Sequence, residues 1–138
     1  IHGYESEFSY NLNDLIRFDG SFSATRGENL TDNSSLYYMP PDKILLSTEI
    51  NLPPFSINLM HKKVFSQNRI GLYESATPGY ETYNLIGTYT IRNSWAVHKI
   101  ILQVDNVFDR KYYNHLSRIK SIMPEKGRNI GLQYRLNF

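Results

Sequence analysis

Apolar residues recur at every second position over most of this chain. The final stretch shows the pattern best: Ile130, Leu132, Tyr134, Leu136 and Phe138 fall on one side of an extended backbone. Asn129, Gly131, Gln133, Arg135 and Asn137 fall on the other. Period two is the geometry of a strand, whose successive side chains point to opposite faces. The same alternation predicts strands over 1–11 (Tyr4, Phe8, Tyr10), 14–26 (Ile16, Phe18, Phe22), 42–52 (Ile44, Leu46, Ile50, Leu52), 80–92 (Tyr83, Leu85, Tyr89, Ile91) and 96–106 (Ile100, Leu102, Val104). With 128–138 and a less regular segment at 55–66, seven strands are expected. In 55–66 the apolar face begun by Phe55, Ile57 and Leu59 continues through His61 and Lys63. Either the strand leaves an apolar band there, as the snorkelling reach of lysine permits, or a bulge shifts its phase; the first reading is preferred.

The connections alternate in length. Short ones are expected at Asn11–Asp14, around Pro53-Pro54 and at Asn93–Ser94, and long ones at 27–41, 67–79 and 107–127. Short turns at one end and long loops at the other are the habit of outer-membrane β-barrels, whose short turns face the periplasm. The aromatics Tyr10, Phe55, Tyr80, Trp95 and Phe138 sit near the predicted strand ends, where interfacial girdles would place them.

Composition agrees with that class and excludes others. Aromatics are 14% of the 138 residues, with 11 tyrosines, yet mean hydropathy is only -0.45. No apolar run exceeds the four residues Leu36–Met39, whereas a membrane helix needs roughly 20. Fifteen basic against 13 acidic residues give a net charge of +2, too balanced for a general nucleic-acid binder. There is no cysteine, hence no disulfide, thiolate ligand or thiol nucleophile. The chain starts at Ile1, with neither initiator Met nor signal-like segment. A removed leader or a longer parent chain is the expectation.

At the last two strands the residues become specific. Asn106-Val107-Phe108-Asp109 closes the penultimate strand and Tyr112 follows. Gly127-Arg128-Asn129, after Pro124, opens a final strand ending in Phe138. Thr77-Pro78-Gly79-Tyr80 and Met39-Pro40-Pro41 precede two earlier strands. This order of motifs resembles the C-terminal part of TonB-dependent outer-membrane receptors. The likeness covers 77–138 in motif detail and the rest in strand rhythm. Lys126 stands where such receptors often carry Pro, which makes that turn less rigid.

The resemblance implies an all-β, antiparallel up-and-down transmembrane barrel. Residues 1–138 would be about seven C-terminal strands of 22, incomplete alone and without the N-terminal plug. It implies residence in the bacterial outer membrane, among lipid and lipopolysaccharide, and partnership with the plug, the rest of the barrel and the inner-membrane TonB complex. It also implies a reading of Phe138, with Tyr134 and Leu136, by the barrel-assembly machinery. Active uptake of a scarce metal complex follows, iron siderophore or haem foremost, with cobalamin, copper, zinc and oligosaccharide as further members of the class. The residues themselves also admit a small standalone or oligomeric barrel acting as pore or adhesin, or a soluble all-β binding module.

Candidate sites are few. The loop ending at Arg128 holds Arg110, Lys111, Arg118, Lys120, Lys126 and Arg128 against Asp109 and Glu125, six minus two or +4 locally, with His115 in addition. Such a loop suits an anionic chelate or lipopolysaccharide phosphate, so Arg110, Lys111, His115, Arg118 and Lys120 are candidate ligand contacts; a solvated charged face is the plainer reading. Asn106, Phe108, Asp109, Tyr112, Gly127, Arg128 and Asn129 read as a structural clasp, since Asn and Asp readily satisfy backbone groups at turns. Among His2, His61, His98 and His115 no pair has zinc-site spacing. No metal centre, cofactor or enzymatic activity is therefore expected of this segment. Arg17, Asp19, Glu49, Asn51, Asn84, Gln103 and Arg135 should face the lumen.

Overall fold

A computed structural model describes all residues, 1–138. Seven strands form one antiparallel sheet: β1 (His2–Asn11), β2 (Ile16–Arg26), β5 (Lys43–Leu52), β6 (Phe55–Val64), β7 (Tyr80–Arg92), β8 (Val97–Asp105) and β9 (Asn129–Asn137). They lie side by side in chain order. All coincide with the alternating segments to within two residues at each end. The 27–42 connection adds a small hairpin that periodicity does not reveal, β3 (Glu28–Asn29) with β4 (Ser34–Ser35).

The pairing register sorts the side chains by parity. Phe18 faces Thr48, Leu59 faces Leu85, Ile100 faces Tyr134 and Leu102 faces Leu132, so one face is largely apolar. The other face carries Glu7 opposite Ser21, Asp19 opposite Ser47, Asn58 opposite Ile86 and Gln103 opposite Gly131. Strand β6 pairs without interruption through His61↔Tyr83 and Lys63↔Glu81. There is no bulge: the strand keeps its phase and its outer end changes chemistry.

This is a single layer without a hydrophobic core. Val64, Tyr80 and Ala96 are its buried apolar residues, while Ile130, Leu132 and Tyr134 are exposed. The surface totals 9894 Å², against about 7,400 Å² for a compact monomer of this mass. Of 73 backbone hydrogen bonds, 57 lie within the strand ladders, which therefore hold the sheet together. Local pairs reinforce them. Phe55 stacks on Tyr89 at 4.8 Å, and Phe8 covers Gly20, where an added Cβ would lie 2.1 Å from the ring.

The connections at one end are 12–15, 53–54 and 93–96. Two are built on an asparagine: Asn13 Oδ1 accepts the amides of Leu15 and Ile16 at 2.9 Å. Asn93 Oδ1 accepts those of Trp95 at 3.1 Å and Ala96 at 2.8 Å, the local turn chemistry of this residue. Connections 27–42, 65–79 and 106–128 all lie at the opposite end. Tyr10, Phe55, Trp95 and Phe138 are exposed at strand ends, but Tyr80 corrects the girdle expectation. It shares parity with Thr82 and Asn84, points to the polar side, and is buried under Tyr112 at 4.2 Å between ring centres.

Candidate functional site

The three long loops form one interlocked layer, with Glu74 as its centre. The Glu74 carboxylate accepts the Gly71 amide at 3.2 Å and the Tyr38 amide at 3.4 Å, and pairs with the Lys120 ammonium at 3.1 Å. Gly71 belongs to the same loop as Glu74, and Tyr38 and Lys120 come from the other two. His115 is fully buried here. Its Nδ1 meets the Thr77 hydroxyl at 2.9 Å and the Lys120 ammonium at 3.3 Å. An ammonium only donates, so Nδ1 accepts and the neutral imidazole carries its proton on Nε2. That atom lies 3.0 Å from Glu74 Oε1 yet is out of line for a hydrogen bond.

The environment biases both titratable groups. Burial pushes the Glu74 carboxyl up, but the Gly71 amide, Lys120 and His115 together outweigh it and hold it below its usual range. Burial, then the Lys120 charge, push the His115 imidazole down, and the pull of Glu74 does not overcome them. The clasp is thus held with Glu74 ionised and His115 neutral.

A second tie lies beneath it. Gln67, also fully buried, donates to the carbonyls of Met39 at 3.0 Å and Pro40 at 3.3 Å, and accepts the Arg69 amide at 3.2 Å. Asp42 pairs with Arg26, whose hydrogen bond holds its carboxyl down.

The motif residues around Asn106 form the base of the third loop. Asn106 is buried and left-handed, with φ of 50°, a conformation asparagine tolerates better than most residues. Its backbone N–H donates to Asn84 Oδ1 and its side-chain Nδ2 to the Arg110 carbonyl, while its Oδ1 accepts the Arg110 amide, each at 2.9 Å. Asp109 Oδ1 accepts the Arg128 amide at 2.7 Å. A Cβ at Gly127 would sit 2.7 Å from the same oxygen, so a larger residue there would push Asp109 away from the Arg128 amide. Phe108 meets Tyr83 edge-on at 5.2 Å. Asn129 opens β9 opposite Asp105.

The candidate contact residues therefore divide. Arg110, Lys111 and Arg118 are exposed, whereas His115 and Lys120 are engaged with Glu74. Beside the clasp the loops enclose a shallow cavity of about 420 Å³, lined by Tyr37, Tyr38, Tyr73, Arg118 and Lys120 among others. Tyr38 and Tyr73 have positive φ, 53° and 66°, uncommon for bulky residues, and Tyr73 is almost fully exposed. Periodicity gives no hint of this aromatic rim. On the polar sheet face Arg17 pairs with Asp19 at 2.8 Å, Asn51 donates to Glu49 at 3.1 Å, and Gln103 donates to Asp105 at 2.9 Å. Arg135 lies directly opposite Lys99. No group of three or more His, Cys, Asp or Glu side chains is gathered as a metal site would need.

An apolar face, a polar face, short turns at one end and knotted loops at the other define a section of receptor-barrel wall. No protein-family model matches the chain. Among solved structures, the copper transporter OprC is similar over 97% of this chain at 26% identity, with a TM-score of 0.83. The chain spans 22% of that protein. Its fold is that of the TonB-dependent receptors, here a seven-stranded part of the wall that does not close into a barrel.

Proposed function

We propose that this chain is wall and outer-loop structure from an outer-membrane receptor that imports a metal or metal complex. The observation that carries the reading is the two-faced, coreless sheet with all long loops at one end, supported by its likeness to a copper transporter. The row of exposed apolar residues along one face suits lipid contact. The free edges of β1 and β9 demand further strands, since unpaired backbone groups are intolerable in lipid.

In this reading the polar face lines a lumen filled by the plug, and the receptor draws on the inner-membrane TonB complex. Phe138, with Tyr134 and Leu136, serves recognition by the assembly machinery. The segment works by shape and charge, with neither catalysis nor a resident cofactor. The aromatic rim of Tyr37, Tyr38 and Tyr73, with Arg118 beside it, makes first contact with substrate. Metal class is the level at which the reading rests. Iron chelates and haem, favoured by the family resemblance, and copper, the cargo in the neighbour's name, are alternatives for assay.

The test is uptake by cells making the full-length protein. Accumulation of radioactive copper, or of a ferric chelate, is expected to rise only when the TonB complex is energised. Accumulation that ignores energisation, or no metal accumulated at all, would contradict the reading.

A further inference from the structure

We propose that β7, β8 and β9 bind a free tetrahedral dianion, of the phosphate or sulfate class, on their polar face at the short-turn end. The site goes beyond metal uptake and takes from that reading only that this face looks into water.

Pairing sets Thr90, Lys99 and Arg135 in one row across the three strands, and Arg92 lies two residues beyond Thr90 on the same face. Lys99 and Arg135 are thus like charges directly opposite one another, an arrangement that destabilises a sheet unless something neutralises it. Arg92 and Arg135 are exposed and Lys99 is half-buried. No carboxylate lies within ion-pair reach of any of the three. The acids of this face are engaged or remote. Asp19 pairs with Arg17, and Glu49 accepts from Asn51. Asp105 accepts from Gln103 and lies about 20 Å along β8 from Lys99. Glu5 and Glu7 lie on β1, at the far edge of the sheet and about 19 Å from β7.

The patch has a shape as well as a charge. Arg92 and Lys99 line a cleft of about 580 Å³ together with Asn51, Ser56 and Thr90. Pro53-Pro54 closes it, and the Thr90 amide fastens that turn to β7 by donating to the Pro54 carbonyl at 2.9 Å. Two guanidinium forks, an ammonium and two hydroxyls offer donors from several directions. A tetrahedral dianion presents acceptor oxygens in as many directions, and it answers more of the three positive charges than one carboxylate would. Each guanidinium plane matches a pair of its oxygens. Occupancy would relieve the Lys99–Arg135 repulsion and so tie the last two strands together at this end.

The experiment uses the full-length protein, purified in a phosphorus-free detergent. Inorganic phosphate is titrated against it, and bound ion is read from the broadening of the phosphorus resonance. Wild type should broaden that resonance saturably, and sulfate should reverse the effect where chloride at matched ionic strength does not. Lys99→Gln/Arg135→Gln should weaken binding by at least about tenfold, the scale of one charged hydrogen bond. Arg92→Gln, which leaves the opposed pair in place and alters an exposed side chain, should also weaken it. Phosphate should raise the unfolding temperature of wild type and not that of the double variant. No saturable broadening in wild type would overturn the site, whether the patch is only solvated or a carboxylate elsewhere in the protein fills the cleft. Reversal by chloride, or binding that neither variant alters, would overturn it too. Those results leave energised metal uptake as it is, and failure of metal uptake alone leaves the site standing.

Discussion

Glu74→Ala should release the long loops from one another while leaving the sheet in place. The carboxylate, the His115 ring and the Lys120 ammonium are all nearly inaccessible to water. Deleting the anion leaves a buried cation and the Tyr38 and Gly71 amides without their acceptor. Removing one partner of a buried pair costs about 3–5 kcal/mol. The loops lie at the protein's outer surface, so about 3 kcal/mol is expected. Hydrogen exchange on the full-length protein is the measurement. Protection should fall at Tyr38, Gly71 and around His115 and persist in β6 to β9. Glu74→Gln keeps one of the two acceptor oxygens and loses the charge, and should lie between. Unchanged loop protection in Glu74→Ala would contradict the clasp.

Acid should act on the same contacts. The folded imidazole of His115 is held below the ordinary value of about 6.5. Between the two values an opened loop binds a proton that the closed loop does not, so closure is fully supported above that ordinary value and weakens as pH falls through the folded one. Glu74, held below its ordinary range, follows the same sign at lower pH. Loop protection, corrected for intrinsic exchange, should therefore decline below about pH 6.5. It should never improve on acidification.

Asn106→Ala attacks the loop from its base. It removes the side-chain bonds to both backbone groups of Arg110 and to the Lys126 carbonyl, and places alanine at a left-handed φ. The two bonds to Arg110 at about 1 kcal/mol each, plus about 1 kcal/mol for the backbone, sum to about 3 kcal/mol, the long contact to Lys126 adding little. Trypsin should then cut faster after Lys111, Arg118 and Lys120 in the full-length protein. Asn106→Asp retains the acceptor for the Arg110 amide and tolerates the backbone, so it should be cut at an intermediate rate. Wild-type resistance in Asn106→Ala would show that the clasp does not hold the loop.

The sheet was legible in the sequence because each strand displays one apolar face, and a one-residue error in register would invert it. The same logic placed Phe108, Asp109 and Tyr112 around a turn, since Asn and Asp at a strand end are local signals. Tyr80 was misplaced because nearness to a strand end was weighed above parity with Thr82 and Asn84. The Glu74 clasp escaped notice for a different reason. Lys120 is 46 residues from Glu74 along the chain, and the +4 tally of loop charge did not count a carboxylate from another loop. Thus His115 and Lys120, read as candidate ligand contacts, meet a partner that only tertiary structure supplies. Tyr38 and Tyr73 carry no glycine-like mark of positive φ, and the two-residue strands β3 and β4 are too short to show a period.

The central claim, that one parity of this sheet meets lipid and the other a watery lumen, is tested most directly by spin labels at neighbouring positions. The segment has no native cysteine, so labelled cysteines at Leu102 and Gln103 report only those sites within it. In the full-length protein in bilayers, the label at 102 should relax with dissolved oxygen and ignore a water-soluble nickel chelate. The label at 103 should respond to the chelate or be shielded by packing, with little oxygen effect. Equal exposure of both labels to the nickel chelate would contradict the account.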